Sequence, residues 1–252
     1  MLDRNLRSNA LSLLAQQAVT LLLPLLLLPY LLRSLGVSQF GVVVFSQSVV
    51  GYFVILVEYG FNLSATQSIA QVASDSIRRE KIFWATWWAR LLLCIVGAML
   101  LYVLLMIVPL LTENADVIAA SYIQVVGVAI LPHWYFLGLE RAKPIAVFNI
   151  AGRILSTAAV VVCILFNGPL WGVAMALSSA QIISAVPALF YLVRCGLLTK
   201  SLFSFREVFN ALKNGWKVFV STAAVSLYSV TNNVVLGFVG GGGRCGSVFR
   251  CG

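Results

Sequence analysis

Four ionisable side chains stand inside runs that are otherwise suited to a hydrocarbon solvent: Glu58, Arg90, His133 and Arg153. Placing a charge in a bilayer costs roughly 2.5–3.5 kcal/mol on insertion scales, so each such group is a functional candidate. An arginine presents paired donors on a planar fork, which suits phosphate or carboxylate oxygens. A glutamate can balance that charge or accept from hydroxyls, and a histidine can pass a proton. Uncharged polar residues fall nearby: Gln16, Gln17 and Thr20 within about one turn of each other, and Asn62, Ser64 and Thr66 at the end of a later run. At about 1.5 Å per residue, all four ionisable groups lie in the half of their runs nearest the basic connecting segments. This shared depth predicts a water-filled cavity open to that side. Its expected lining is Gln16, Gln17, Glu58, Asn62, Arg90 and Arg153, with His133 as a candidate proton relay. Plainer readings stand beside these. The arginines can snorkel to headgroups, and Glu58 can simply pair with one of them. His133 lies in LPHWYF, among aromatics of the kind that form interfacial belts.

The elements that must position these groups follow from composition. Of 252 residues, 61% are hydrophobic and only 10% charged, with a mean hydropathy of +0.98. A soluble domain carries about 25% charged residues, so the solvent of this chain is lipid. A spanning helix needs about 20 apolar residues. Seven spans are predicted: Ala10–Leu32, Phe40–Asn62, Trp84–Val108, Val117–Leu139, Ile145–Phe166, Leu170–Leu192 and Val218–Val239. The second can run past Asn62, because no charge other than Glu58 occurs between Arg33 and Asp75. Alternating the connecting segments between two sides places twelve Lys and Arg residues on one and only Arg33 on the other before the final residues. That asymmetry predicts a cytosolic N-terminus. The first span is too long for a signal-peptide core and lacks a cleavage site.

The same features exclude several functions. The net charge of +9 is dispersed in short clusters between apolar runs, with no basic stripe for nucleic acid. Five cysteines without a CxxC pair or a Cys/His cluster build neither a disulfide framework nor a zinc site. No nucleophile elbow, Walker loop or HExxH occurs, no cofactor motif is present, and the loops are too short for a soluble catalytic domain, so an enzyme is not expected. Residues 194–217 read as a cytosolic connector. Within it Ser204 and Glu207 fit a capping box, and Phe205, Val208, Phe209 and Leu212 fall on one helical face. The end, VGGGGRCGSVFRCG, breaks the pattern. It reads either as a flexible end or, fitting its composition better, as out-of-frame translation of a GC-rich gene.

Three blocks carry a family resemblance. The first is LLPLLLLPYLLRSLGVSQFGVVVFSQSVVGYFVILVEYGFNLSAT. The others are WYFLGLERAKPIAVFNIAGRI and LKNGWKVFVSTAAVSLYSVTNNVVLG. From about Asn5 to Gly237 the chain resembles the bacterial lipid-linked oligosaccharide flippases, the O-antigen and polysaccharide-repeat translocases of the multidrug/oligosaccharidyl-lipid/polysaccharide exporter superfamily. The resemblance implies an all-α integral membrane protein of the bacterial inner membrane. It implies two six-helix halves related by a pseudo-two-fold axis along the membrane normal. A cavity between them would take the headgroup of an undecaprenyl-pyrophosphate-linked glycan, with membrane lipid as the surrounding partner. Leu137 and Gln67 depart from the family pattern. On this reading the chain is truncated to about an N-terminal half: a six-helix bundle over residues 1–193, the connector 194–217, a seventh span 218–239 and a Gly-rich end 240–252. Such a chain is expected to be inactive by itself. The competing readings are a small-molecule exporter of the same superfamily, a membrane-embedded glycan polymerase or ligase, and a non-transporting membrane fragment.

Overall fold

A computed structural model describes residues 2–72, 74–197, 204–213, 215–216 and 218–221, with side chains from Asn9 onward. No strand occurs among the described residues. Lipid offers backbone groups no hydrogen-bonding partner, so long apolar runs close their bonds within each segment. The chain forms α1 (Leu2–Glu58), α2 (Phe61–Gln71), α3 (Ser76–Ile107), α4 (Pro109–Thr112) and α5 (Ala115–Ser121). It continues through α6 (Ile123–Ile130), α7 (His133–Gly138), α8 (Ala142–Leu165), α9 (Leu170–Ser178) and α10 (Ala180–Arg194). Among the described residues, five stretches are long and apolar enough to cross a bilayer: Asn9–Gln71, Ser76–Ile107, Ala115–Gly138, Ala142–Leu165 and Leu170–Arg194. The protein is an all-α, multi-pass membrane protein.

The first stretch folds back on itself. Gly36 leaves helical geometry at φ 75°, ψ 165°, a conformation that costs other residues strain. Gln16 and Glu58 line one cavity of about 270 Å³, although a straight helix would hold residues so far apart in sequence roughly 60 Å from each other. Residues on both sides of Gly36, such as Leu31 and Phe40, also share a second recess. The 63 residues of this stretch therefore make two arms, which correspond to the first two predicted spans. The second arm bends again at Tyr59 (φ 44°) and Gly60 (φ 68°), and α2 then carries it to Gln71. The second span thus extends well beyond Asn62.

Hydrogen bonds gather the segment ends at one pole. Asn9 Nδ2 donates to the carbonyl of Glu140 at 2.6 Å. Arg79 Nε donates to the Tyr135 hydroxyl, which donates in turn to the Leu197 carbonyl, each at 3.1 Å. This pole carries the clustered basic residues, and α3 starts there behind Asp75, whose carboxylate caps the Arg78 N–H at 3.1 Å. The core beneath the pole packs Phe61, Ile69, Phe83, Trp134, Tyr135 and Phe136. Trp134, Tyr135 and Phe136 are completely buried, so the LPHWYF segment is core and not an interfacial belt. Its large rings fill space between helices that polar or small residues would leave void.

Beyond α10, a helix covers Phe205 to Lys213 directly after Ser204, whose carbonyl accepts the Val208 N–H at 3.1 Å. Val208 is buried while Phe205 and Phe209 are exposed. The predicted face is therefore split between the core and the surroundings. Most of the predicted seventh span, and all of the Gly-rich end, lie outside the described residues.

Candidate functional site

The site grows from a break in the fourth predicted span. Proline has no N–H and disfavours helical geometry in the residue before it. At Leu131–Pro132 the helix accordingly stops: Leu131 adopts φ −70°, ψ 115°, and α7 resumes at His133. The carbonyls facing the break need donors from elsewhere. Trp87 Nε1 donates to the Ile130 carbonyl at 3.2 Å. Arg90 Nη1 donates to the Leu131 carbonyl at 3.1 Å. These donors stand three residues apart on α3 and so share a face. Arg90 is only 2% exposed, so its guanidinium is held within the bundle and does not snorkel to the surface.

Around this break lies the 270 Å³ cavity. The first arm supplies Gln16, Gln17 and Thr20, the second supplies Glu58, and α2 supplies Asn62. Arg90 comes from α3, His133 from α7, Asn149 and Arg153 from α8, and Gln181 and Ser184 from α10. The structure thus brings together all six residues expected to line a cavity, with His133 beside them. Sequence reasoning missed Asn149, Gln181 and Ser184. Asn149 had a legible signal, because it precedes Arg153 by one helical turn and shares its face. Gln181 had only its polarity within an apolar run.

The internal bonding leaves much of this lining open. Asn62 Nδ2 donates to Glu58 Oε1 at 3.0 Å, and Asn149 Nδ2 donates to His133 Nδ1 at 3.5 Å. The plain expectation for Glu58 is an ion pair with an arginine. Its carboxylate instead accepts the Asn62 amide, while Arg78 pairs with Asp75. The bend at Tyr59 and Gly60 lies between the two residues, and across it the Asn62 amide reaches the carboxylate. Gln16 Oε1, Asn62 Oδ1, Asn149 Oδ1 and Arg90 Nε are buried without a hydrogen-bond partner. Unpaired buried polar atoms cost about 1–3 kcal/mol each, so a ligand or solvent that satisfies them is favoured. The cavity therefore offers two guanidinium groups against one carboxylate, plus free amide oxygens that accept from hydroxyls.

Close helix contacts hold this geometry. A side chain on Gly152 of α8 would collide with Ser184 Oγ and would meet the Ala180 carbonyl at 2.6 Å. One on Gly127 of α6 would meet Gln181 Cβ at 2.6 Å. In lipid no hydrophobic force draws helices together, and small residues permit the close packing that does.

A protein of Escherichia coli (strain K12) named "Putative O-antigen transporter" is 35% identical over 240 residues, covering 94% of this chain and 57% of that relative. A protein of Shigella dysenteriae with the same name is 29% identical over 238 residues, covering 94% of this chain and 59% of the relative. The chain therefore spans a little more than half the length of these curated relatives. No solved structure matches it. Residues 6–247 match the family described as "Polysaccharide biosynthesis protein", and the chain belongs to that family.

Proposed function

We propose that this chain is part of a flippase that moves undecaprenyl-pyrophosphate-linked oligosaccharide repeat units across the bacterial inner membrane for O-antigen or polysaccharide assembly. One observation carries the reading. The polar cavity sets Arg90 and Arg153 against the single carboxylate of Glu58, beside the unpartnered oxygens of Gln16, Asn62 and Asn149. A pyrophosphate needs the first set of groups, and sugar hydroxyls need the second. The relatives' printed name, O-antigen transporter, points to the same class of cargo.

In this reading the pole with Arg79, Glu140 and the other segment ends faces the cytosol, in keeping with the basic asymmetry. The cavity then receives its cargo from the inner leaflet. Residues 1–193 form the six-span unit, 194–217 an amphipathic connector, 218–239 a seventh span that opens a second unit, and 240–252 a Gly-rich end. Alternating access moves one bundle against another around a shared site, so the cavity described here is one wall of the passage. His133, bonded to Asn149 on the cavity edge, is the candidate for coupling transport to protons.

The test is complementation in cells that lack their own O-antigen flippase. The chain is completed in frame with the remaining portion of the Escherichia coli relative. This longer protein restores surface O-antigen, whereas the 252 residues alone restore none. A completed protein that reaches the membrane normally yet restores no surface glycan refutes the cargo assignment. Resistance to toxic cations in those cells would instead identify a small-molecule exporter.

A further inference from the structure

Beside the polar cavity lies a larger recess of about 700 Å³, bounded by both arms of α1 and by α8. Its lining is mostly apolar, with Leu27, Leu31, Phe40 and Val44 among the contributing residues. Thr20 and Arg153 line this recess and the polar cavity alike, so the two meet at one guanidinium. A polar solute would fill the first space and leave the second empty. A free hydrocarbon would fill the second and leave Arg153 unused. A phosphate joined to a long apolar chain satisfies both at once.

We infer that the cleft between the arms of α1 and α8 holds the head-proximal part of the cargo's polyprenyl chain, with the attached phosphate at Arg153. This inference rests on the glycolipid reading above and adds where the lipid portion leaves the cavity. In a bilayer the chain exchanges one apolar environment for another, so the cleft supplies little net affinity. Its effect is positional. It fixes the direction in which the chain exits and so sets the depth of the pyrophosphate against Arg90 and Arg153.

The test uses the chain in lipid nanodiscs with three photoreactive lipids. These are a polyprenyl pyrophosphate carrying a diazirine on its third isoprene, the matching polyprenol, and a phosphatidylcholine with a diazirine at similar depth on one acyl chain. Cross-linked peptides are located by mass spectrometry. The pyrophosphate probe labels Leu27, Leu31 and Phe40 about tenfold more than the polyprenol does, the discrimination expected of one charge-assisted hydrogen bond. Arg153→Gln removes that excess, and Val44→Trp, which fills the cleft, displaces the label. Equal labelling by all three lipids would mean that ordinary bilayer lipid occupies the cleft. Absence of label from all three would mean that another protein segment covers it. Either result overturns the inference. A second readout separates this failure from failure of the cargo reading: a soluble glycosyl pyrophosphate should change the fluorescence of Trp87, which neighbours Arg90. A response there with an unlabelled cleft defeats the cleft alone, and no response defeats the glycolipid reading too.

Discussion

Replacing Arg90 with methionine separates its two roles, brace and ligand. The guanidinium braces the broken helix through its 3.1 Å bond to the Leu131 carbonyl. Losing a hydrogen bond to a charged group costs about 1.5–3 kcal/mol. Removing a charge from the interior of a bilayer segment returns about 2.5–3.5 kcal/mol. The two nearly cancel, and the Leu131 carbonyl still accepts the His133 N–H at 3.0 Å. Folding should therefore shift by no more than about 2 kcal/mol, and Arg90→Met should accumulate in membranes at near-normal abundance. Headgroup binding has no such offset. With Arg90 gone, Arg153 alone faces Glu58, and one charge-assisted contact to the pyrophosphate disappears. That contact, at about 1.5–3 kcal/mol, corresponds to roughly 10- to 150-fold weaker binding. Titration of purified protein with a glycosyl pyrophosphate measures this directly, beside membrane abundance from quantitative blotting. Arg90→Lys should fall between, because an ammonium keeps the charge but lacks the planar fork. Unchanged binding in Arg90→Met would refute the ligand role. Collapsed abundance, restored by lysine without a change in binding, would leave Arg90 as a brace only.

Three further outcomes test the architecture. In a cysteine-free background, a membrane-impermeant thiol reagent applied to intact cells should label Asn114→Cys, while Ser76→Cys should react only after permeabilisation; the opposite pattern would invert the topology. Gly152→Val should push α8 from α10 against Ser184 and the Ala180 carbonyl, costing about 1–3 kcal/mol and lowering the thermal unfolding midpoint in detergent; an unchanged midpoint would mean that the helices are not in close contact. Gly36→Val should cost about 1–3 kcal/mol through backbone strain alone, since no atom stands within 4 Å of its would-be Cβ. The control Gly41→Ala, in helical geometry and equally open space, should instead be neutral or gain up to about 1 kcal/mol; equal effects at the two sites would argue against a reversal at Gly36.

The sequence by itself determined the solvent and the helical character of the long runs. Long runs such as Trp84–Val108 admit only helices, because lipid leaves the backbone no other partner. Placing Glu58, Arg90, His133 and Arg153 needed only a helical rise and the knowledge that charge is costly in such runs. What the sequence did not decide was which face of each helix meets which neighbour. A soluble helix announces its buried face by a polar stripe on the opposite side. In lipid both faces are apolar, so Leu26, 78% exposed, and Leu27, 7% exposed, look alike in the sequence. Tertiary packing alone therefore put Trp134, Tyr135 and Phe136 in the core and brought Gln181 and Ser184 to the cavity with Arg90 and Arg153. Those choices follow from close approach at Gly127 and Gly152 and from the break at Leu131–Pro132. Their effects depend on residues distant in the chain, such as Ala180 for Gly152 and Gln181 for Gly127, which no local pattern of apolar side chains encodes.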